Sequence, residues 1–148
     1  MAISSGIAIR WKELAMGGHI PSVVADYAGF KIALFVSGAS LSNGTSVYKT
    51  DGEVTAGAAT NYVAGGNICT VTTVGVAGSV AYIQFANQTW ASATFAAAGG
   101  CLIYNTSTST ANRTIAVIDF GGTKTATAGD FVITMPAAGA TTSIVRLA

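Results

Sequence analysis

Residues 114–125 read TIAVIDFGGTKT, a strand-forming run that ends in Asp119, then paired glycines, Thr123 and Lys124. An acid and a lysine flanking two glycines is the composition of a phosphate-gripping loop. In such a loop, backbone amides and small residues approach phosphate oxygens and the lysine neutralises their charge. The triplet Asp119-Phe120-Gly121 also matches the magnesium-holding DFG of protein kinases. Both readings need more protein than is here. The actin-like sugar-kinase arrangement has a second lobe after such a loop, and only 24 residues follow Lys124. A protein kinase needs a Gly-rich loop, a strand lysine and an HRD-type loop, and none is present. The spacing predicts instead a hairpin: TIAVIDF leads into GGTKTATAG and returns through DFVITMP. The glycines would supply positive φ in the turn. Lys124 then stands at a loop tip as a candidate contact with a neighbouring subunit.

The other reactive side chains form no constellation. Nucleophilic catalysis needs a base beside the nucleophile; the chain has one histidine, His19 in MGGHIPS, and no GxSxG elbow. His19 reads as a surface or interface residue. Asp51 and Glu53 in KTDGEV are an acidic pair beside a glycine, which predicts a turn and not a calcium loop. Cys69 and Cys101 lie in neither a CxxC nor a zinc-ligand spacing and read as buried free thiols. With six acids and one histidine, the sequence predicts no catalytic residues, no cofactor and no metal. A small hydrolase of the cell wall is the enzyme reading that these counts oppose.

The chain has 148 residues, room for one compact domain. Only 9% of its residues are charged, and none between Glu53 and Arg113. A typical soluble domain carries about 25%. The surface must therefore be built from Thr, Ser, Asn, Gly and Ala, and such a surface invites association. Mean hydropathy is +0.55, but every apolar run is broken within a few positions, short of the roughly 20 residues a spanning helix needs. The order of charge and apolar residues at the N-terminus does not fit a secretory signal. Seven scattered Lys and Arg make no basic patch for nucleic acid.

Residues 5–16, SGIAIRWKELAM, place Ile7, Trp11 and Leu14 at helical spacing, with Ser5 as a cap and Gly17-Gly18 as a stop. This predicts a short N-terminal helix, or an arm that orders against a partner. After Pro21 the period changes to two. Strands are expected over 30–38, 67–76, 79–87, 89–97, 99–105, 112–120, 130–136 and 141–148, with one or two more between 45 and 63. The residues between 40 and 67 form a Gly/Ser/Thr-rich excursion, and 105–113 a polar loop. The fold class is all-β: a single β-sandwich, jelly-roll-like, over 21–148, with a helix or arm over 1–20.

Three segments resemble the small structural proteins of tailed bacteriophages: FKIALFVSGASLSNGTSVYKTDGEVTAGAATNYVAGGN, IQFANQTWASATFAAAGGCLIYN and AVIDFGGTKTATAGDFVITMPAAGATTSIVRLA. Together they cover most of residues 30–148. The resemblance implies a virion protein, with a capsid cement or decoration protein as the leading role. Its partners would be the major capsid protein and itself, as dimer or trimer, on the capsid exterior, with no direct contact to nucleic acid or membrane. It carries over no catalytic residue. Candidate contacts are Ile7, Arg10, Trp11, Lys12 and Leu14 in the arm, Tyr48 and Tyr62 in the excursion, and Lys124. A tail, baseplate or head-fibre component with a receptor-facing loop is the alternative.

Overall fold

Phe30–Val36 (β2) carries FKIALFV, an apolar run with little alternation. Such a run suits a strand buried on both faces, and in the computed structural model Phe30, Ile32, Ala33, Leu34 and Phe35 are all 0% exposed. The structure describes residues 3–8, 29–106 and 112–148. Among them there is no α-helix, and the strands form two antiparallel sheets. The larger sheet runs Gly6–Ile7 (β1), Arg113–Ile133 (β7), Gln88–Asn105 (β6), β2, Asn67–Ile68 (β3). The smaller contains Val71–Ala77 (β4), Val80–Phe85 (β5) and Val145–Leu147 (β8), in that order.

One face of β2 sends Phe30, Ile32 and Leu34 into the main core, with Cys101, Ile103 and Ile115 from the neighbouring strands. The smaller sheet adds Ile83, Phe85 and Val145 to that core. The opposite face sends Ala33, Phe35, Leu102, Tyr104 and Val117 into a second cluster, closed by Ile3, Ala39 and Leu41, with Tyr48 packed against it. The excursion after β2 is thus the cover of the sheet's second face. It contains no strands of its own, only isolated bridges such as Phe35 to Glu53 and Val47 to Arg113.

The N-terminal helix is not seen where it should begin. Gly6 and Ile7 pair with Val117 and Ala116 of β7, and Ala8 N–H donates to Ile115 O at 2.9 Å. Ser5, the expected helix cap, accepts instead from the Asp119 amide at 2.8 Å. Glycine and β-branched isoleucine are poor helix formers, and the edge of β7 offers them a ladder. The remainder of the expected helix, 9–16, lies outside the described residues.

The expected hairpin around Gly121-Gly122 is also corrected. Residues 113–133 are one strand, and both of its halves pair with β6, not with each other. The segments 89–97 and 99–105 fuse likewise into β6. The glycines, at φ 67 and 145, form a wide bulge: β7 runs from Asp119 to Lys124 while β6 advances only from Gly100 to Ala98. Further irregularities sit at Ser92 (φ 49) and Ala97 (φ 64) on β6 and at Ala128 (φ 47) on β7. Bulges bend the strands that carry them. Phe120 and Phe131 would stand about 36 Å apart on a straight strand, yet their rings are 6.1 Å apart. The ribbon is folded over, bringing Trp90, Phe95 and Ala126 of its far half into the main core.

Where the excursion rejoins the sheet, Gly66 (φ +71) lies directly on β2, and a Cβ there would stand 1.8 Å from Ile32 O. Gly66→Ala is therefore expected to cost about 3 kcal/mol or more. Gly121→Ala, at φ +67 with open space around it, should cost only about 1–2 kcal/mol. Denaturant midpoints of the two variants test the difference.

Candidate functional site

The densest polar cluster among the described residues gathers on Glu53, at the margin of β2. The backbone sets it up. Residues 50–53 make a tight turn, with Glu53 N–H donating to Thr50 O at 3.1 Å and Gly52 at φ 80. Val36 N–H then donates to Gly52 O and Val54 N–H to Leu34 O, both at 2.9 Å, so 52–54 lies along β2. Further along the same margin, β3 pairs with Lys31 and Ile32. Between the two attachments the Leu34 amide has no backbone partner. A buried amide left so would be costly. The Tyr62 hydroxyl accepts it at 2.9 Å and itself donates to Glu53 Oε1 at 2.7 Å.

The Glu53 carboxylate takes two more bonds: Gly65 N–H to Oε1 at 2.7 Å and the Tyr48 hydroxyl to Oε2 at 2.6 Å. Tyr48 stacks on Tyr104 with ring centroids 4.5 Å apart and planes at 14°. The Tyr104 hydroxyl donates to Gly65 O at 2.8 Å. One carboxylate and three phenols thus tie positions 48, 53, 62 and 65 to strands β2 and β6. Burial, and then the negative charge of Glu53, disfavours the phenolates. Tyr104 is pushed up to about 12. Tyr48 and Tyr62 are raised further, by burial first and then by their hydrogen bonds to Glu53. The phenols stay protonated donors, and the carboxylate oxygens are already engaged. This is the chemistry of a clamp.

The acidic pair of the sequence separates accordingly. Asp51 turns outward toward Lys49 at 4.0 Å, while Glu53 turns in. Of the candidate contacts, Tyr62 is 2% exposed and belongs to the interior. Tyr48 and Ile7 are half-buried, Ile7 against the main core. Lys124 is exposed on the bulge, beside a groove of 660 Å³ between Phe120 and Thr123–Thr125 on one side and Phe131–Ile133 on the other. Arg10, Trp11, Lys12, Leu14 and His19 lie outside the described residues.

Asp119, the acid of the phosphate-loop reading, accepts the Gly121 amide at 3.0 Å within its own bulge. Asp130 accepts the Ser92 amide at 3.0 Å, and Thr94 Oγ1 the Ala128 amide at 3.0 Å. These side chains receive the amides that the bulges release from the ladder. Cys69 and Cys101 are free and buried; burial pushes the Cys69 thiol up to about 12 and that of Cys101 higher. Among the described residues, no three His, Cys, Asp or Glu come together as a metal site, and no helix is long and apolar enough to cross a membrane.

The inward role of Glu53 was not legible in KTDGEV. The signal that points to it is tertiary: a tyrosine on each side of the turn whose hydroxyl needs an acceptor once buried. No family model matches the chain, and no curated protein and no solved structure matches it.

Tyr62→Phe is expected to cost about 1–3 kcal/mol, since the Leu34 amide loses its acceptor. Glu53→Gln should cost about as much or more, because an amide cannot accept all three bonds. The double variant should cost less than the sum, as a thermodynamic cycle on denaturant unfolding will measure. Stability should also depend on alkali. The phenols lose protons near 10 when unfolded and at about 12 for Tyr104 when folded. The Tyr104 contribution is thus fully present below pH 10 and is lost as pH rises through about 12, while those of Tyr48 and Tyr62, raised further, persist to higher pH. Stability should begin to fall above pH 9, where the two buried thiols ionise in the unfolded chain, and more steeply above pH 10, where phenolate absorbance follows the tyrosines; Tyr104→Phe should flatten that steeper part.

Proposed function

We propose that this chain is a structural protein of a bacteriophage virion, a cement or decoration protein that stabilises the head by bridging capsomers. The observation that carries the reading is the character of the exposed surface. From 54 to 112 it offers no formal charge, and Val47, Val63, Ile68, Val74, Val76 and Val132 stand 49–71% exposed. Apolar groups on a charge-poor surface cost little to desolvate against a neighbour. The resemblance of residues 30–148 to small structural proteins of tailed phages supplies the identity of that neighbour, the major capsid protein.

The mechanism is adhesive. Packaged DNA pushes capsomers apart, and apolar area buried across each seam opposes the separation at about 25 cal/mol per Å². The cost of association cancels much of this at one seam, but repetition over many equivalent seams makes weak contacts strong together. The fold that goes with the role is a β-sandwich of jelly-roll-like kind, its core held by the chain itself, with the N-terminal segment and the excursion as the gripping parts.

Virions assembled without this chain should release their DNA at lower temperature or under milder osmotic shock than complete ones. Purified chain added back should bind expanded heads and restore resistance. Quantified by mass spectrometry, its copy number should scale with the number of capsomers. A copy number matching the tail or fibres, or heads indifferent to its loss, would sink the cement role, the first outcome favouring the tail or fibre alternative.

A further inference from the structure

Strand β4 is the longest of the strands that end a sheet. Among the described residues it pairs with β5 on one side and with nothing on the other. The other terminal strands are short: β1 and β3 have two residues each, and β8 has three, with Arg146 in its middle. Strand β4 has seven, VTTVGVA, with no charge and no proline. Shortness, charge and proline are the devices that normally keep a free edge from pairing with another chain, and β4 has none of the three. A single register shift between Val71 and Thr73 leaves the stretch from Thr73 to Ala77 regular.

The backbone of that stretch is aimed outward at defined places. The two-residue turn Gly78-Ser79, with Gly78 at φ 61, closes on the pair Ala77–Val80. In such a hairpin the closing pair is hydrogen-bonded, and bonded residues alternate along the strand. Ala77, Gly75 and Thr73 therefore bond to β5, and the N–H and C=O of Val74 and Val76 point to the open side.

The side chains say the same. Across the smaller sheet, Val74 aligns with Ile83 and Val145, and Val76 with Ala81 and Leu147. Along the first row exposure rises toward the edge, from 2% at Val145 and 8% at Ile83 to 50% at Val74, and beside it Val76 is 71% exposed. The apolar row that belongs to the core at one end runs into solvent at the other. On the opposite face the Tyr82 ring lies across Gly75, where a Cβ would stand 2.7 Å from its atoms.

We infer that β4 pairs antiparallel with β4 of a second copy of this chain, about a two-fold axis at Gly75, joining the two smaller sheets into one. Charge selects the occupant. A two-fold contact sets one segment against a copy of itself, so a formal charge on it would meet the same charge across the seam. Neither β4 nor β5 carries any. The register follows from the backbone. With Gly75 on the axis, Val74 lies opposite the partner's Val76, both have their N–H and C=O free, and each exchanges both bonds. The residue without a side chain sits where the strands come closest. The pairing requires nothing of the capsid reading, and purified protein alone tests it.

The contact is a strand edge with a few apolar side chains, at the small end of specific interfaces, so half-dimerisation is expected at a concentration on the order of 10 μM. Sedimentation of the full chain over a concentration series should show that dimer. Val76→Lys places a charge on a side chain already in solvent, and should weaken the dimer at least about tenfold with an unchanged circular dichroism melt. To read the register, Val74→Cys and Val76→Cys variants are oxidised separately and mixed. Disulfide dimers should form chiefly in the mixture, because only there do two cysteines face each other. A chain that stays monomeric at every concentration would overturn the inference. So would a dimer that Val76→Lys leaves intact, or crosslinking of each variant with itself.

Discussion

The amide of Leu34 is the point on which the second face of the large sheet depends. Strand β2 is buried on both sides, so every backbone group along its margin needs a partner. The chain supplies two short attachments there, 52–54 and β3, and leaves the Leu34 amide between them. Tyr62 fills that place, Glu53 holds Tyr62, and the same carboxylate draws in Tyr48 and the Gly65 amide. A segment with little apolar content of its own is thereby fastened over Ala33, Phe35 and Leu102. The hydrogen bonds supply the direction and the second cluster supplies the adhesion. Either alone would leave a loose excursion or an exposed sheet face.

The long ribbon solves a different problem by related means. Strands of 18 and 21 residues would overrun the sheet if they stayed straight. Bulges at Ser92, Ala97, Gly121-Gly122 and Ala128 bend them back, so that one pair of strands contributes to the sheet and, through its far half, to the core packed on it. Each bend releases backbone amides, and Asp119, Asp130 and Thr94 receive three of them. The few charged residues in this half of the molecule are thus spent partly on backbone geometry. That is the physical content of the acid in TIAVIDFGGTKT.

The interior is organised around hydrogen bonds to a handful of polar groups, whereas much of the outside has no charge to organise it. For an isolated protein that is a hazard, because nothing opposes contact between copies or with other surfaces. For a protein whose place is in an assembly the same property is an asset. Strand β4 concentrates it: a regular edge, outward backbone bonds, and an apolar row that continues the core into solvent.

By itself the sequence determined the β class, the position of β2 and β5, the turn at Asp51-Gly52, the scarcity of surface charge between Glu53 and Arg113, and the burial of both cysteines. These follow from local composition, from period-two patterning and from the hydrophobicity of the thiol, and none needs a partner to be known. Only the tertiary structure decided that Gly121-Gly122 bend a continuous strand instead of closing a hairpin. A glycine pair permits positive φ in either setting, and pairing with β6 chooses between them. It decided likewise that Gly6-Ile7 extend along β7, where an open ladder outweighs a weak helical pattern. And it decided that Glu53 faces inward while Asp51 faces water. Two acids on one turn are alike in sequence, and what separates them is a buried amide and two phenols that come from elsewhere in the chain.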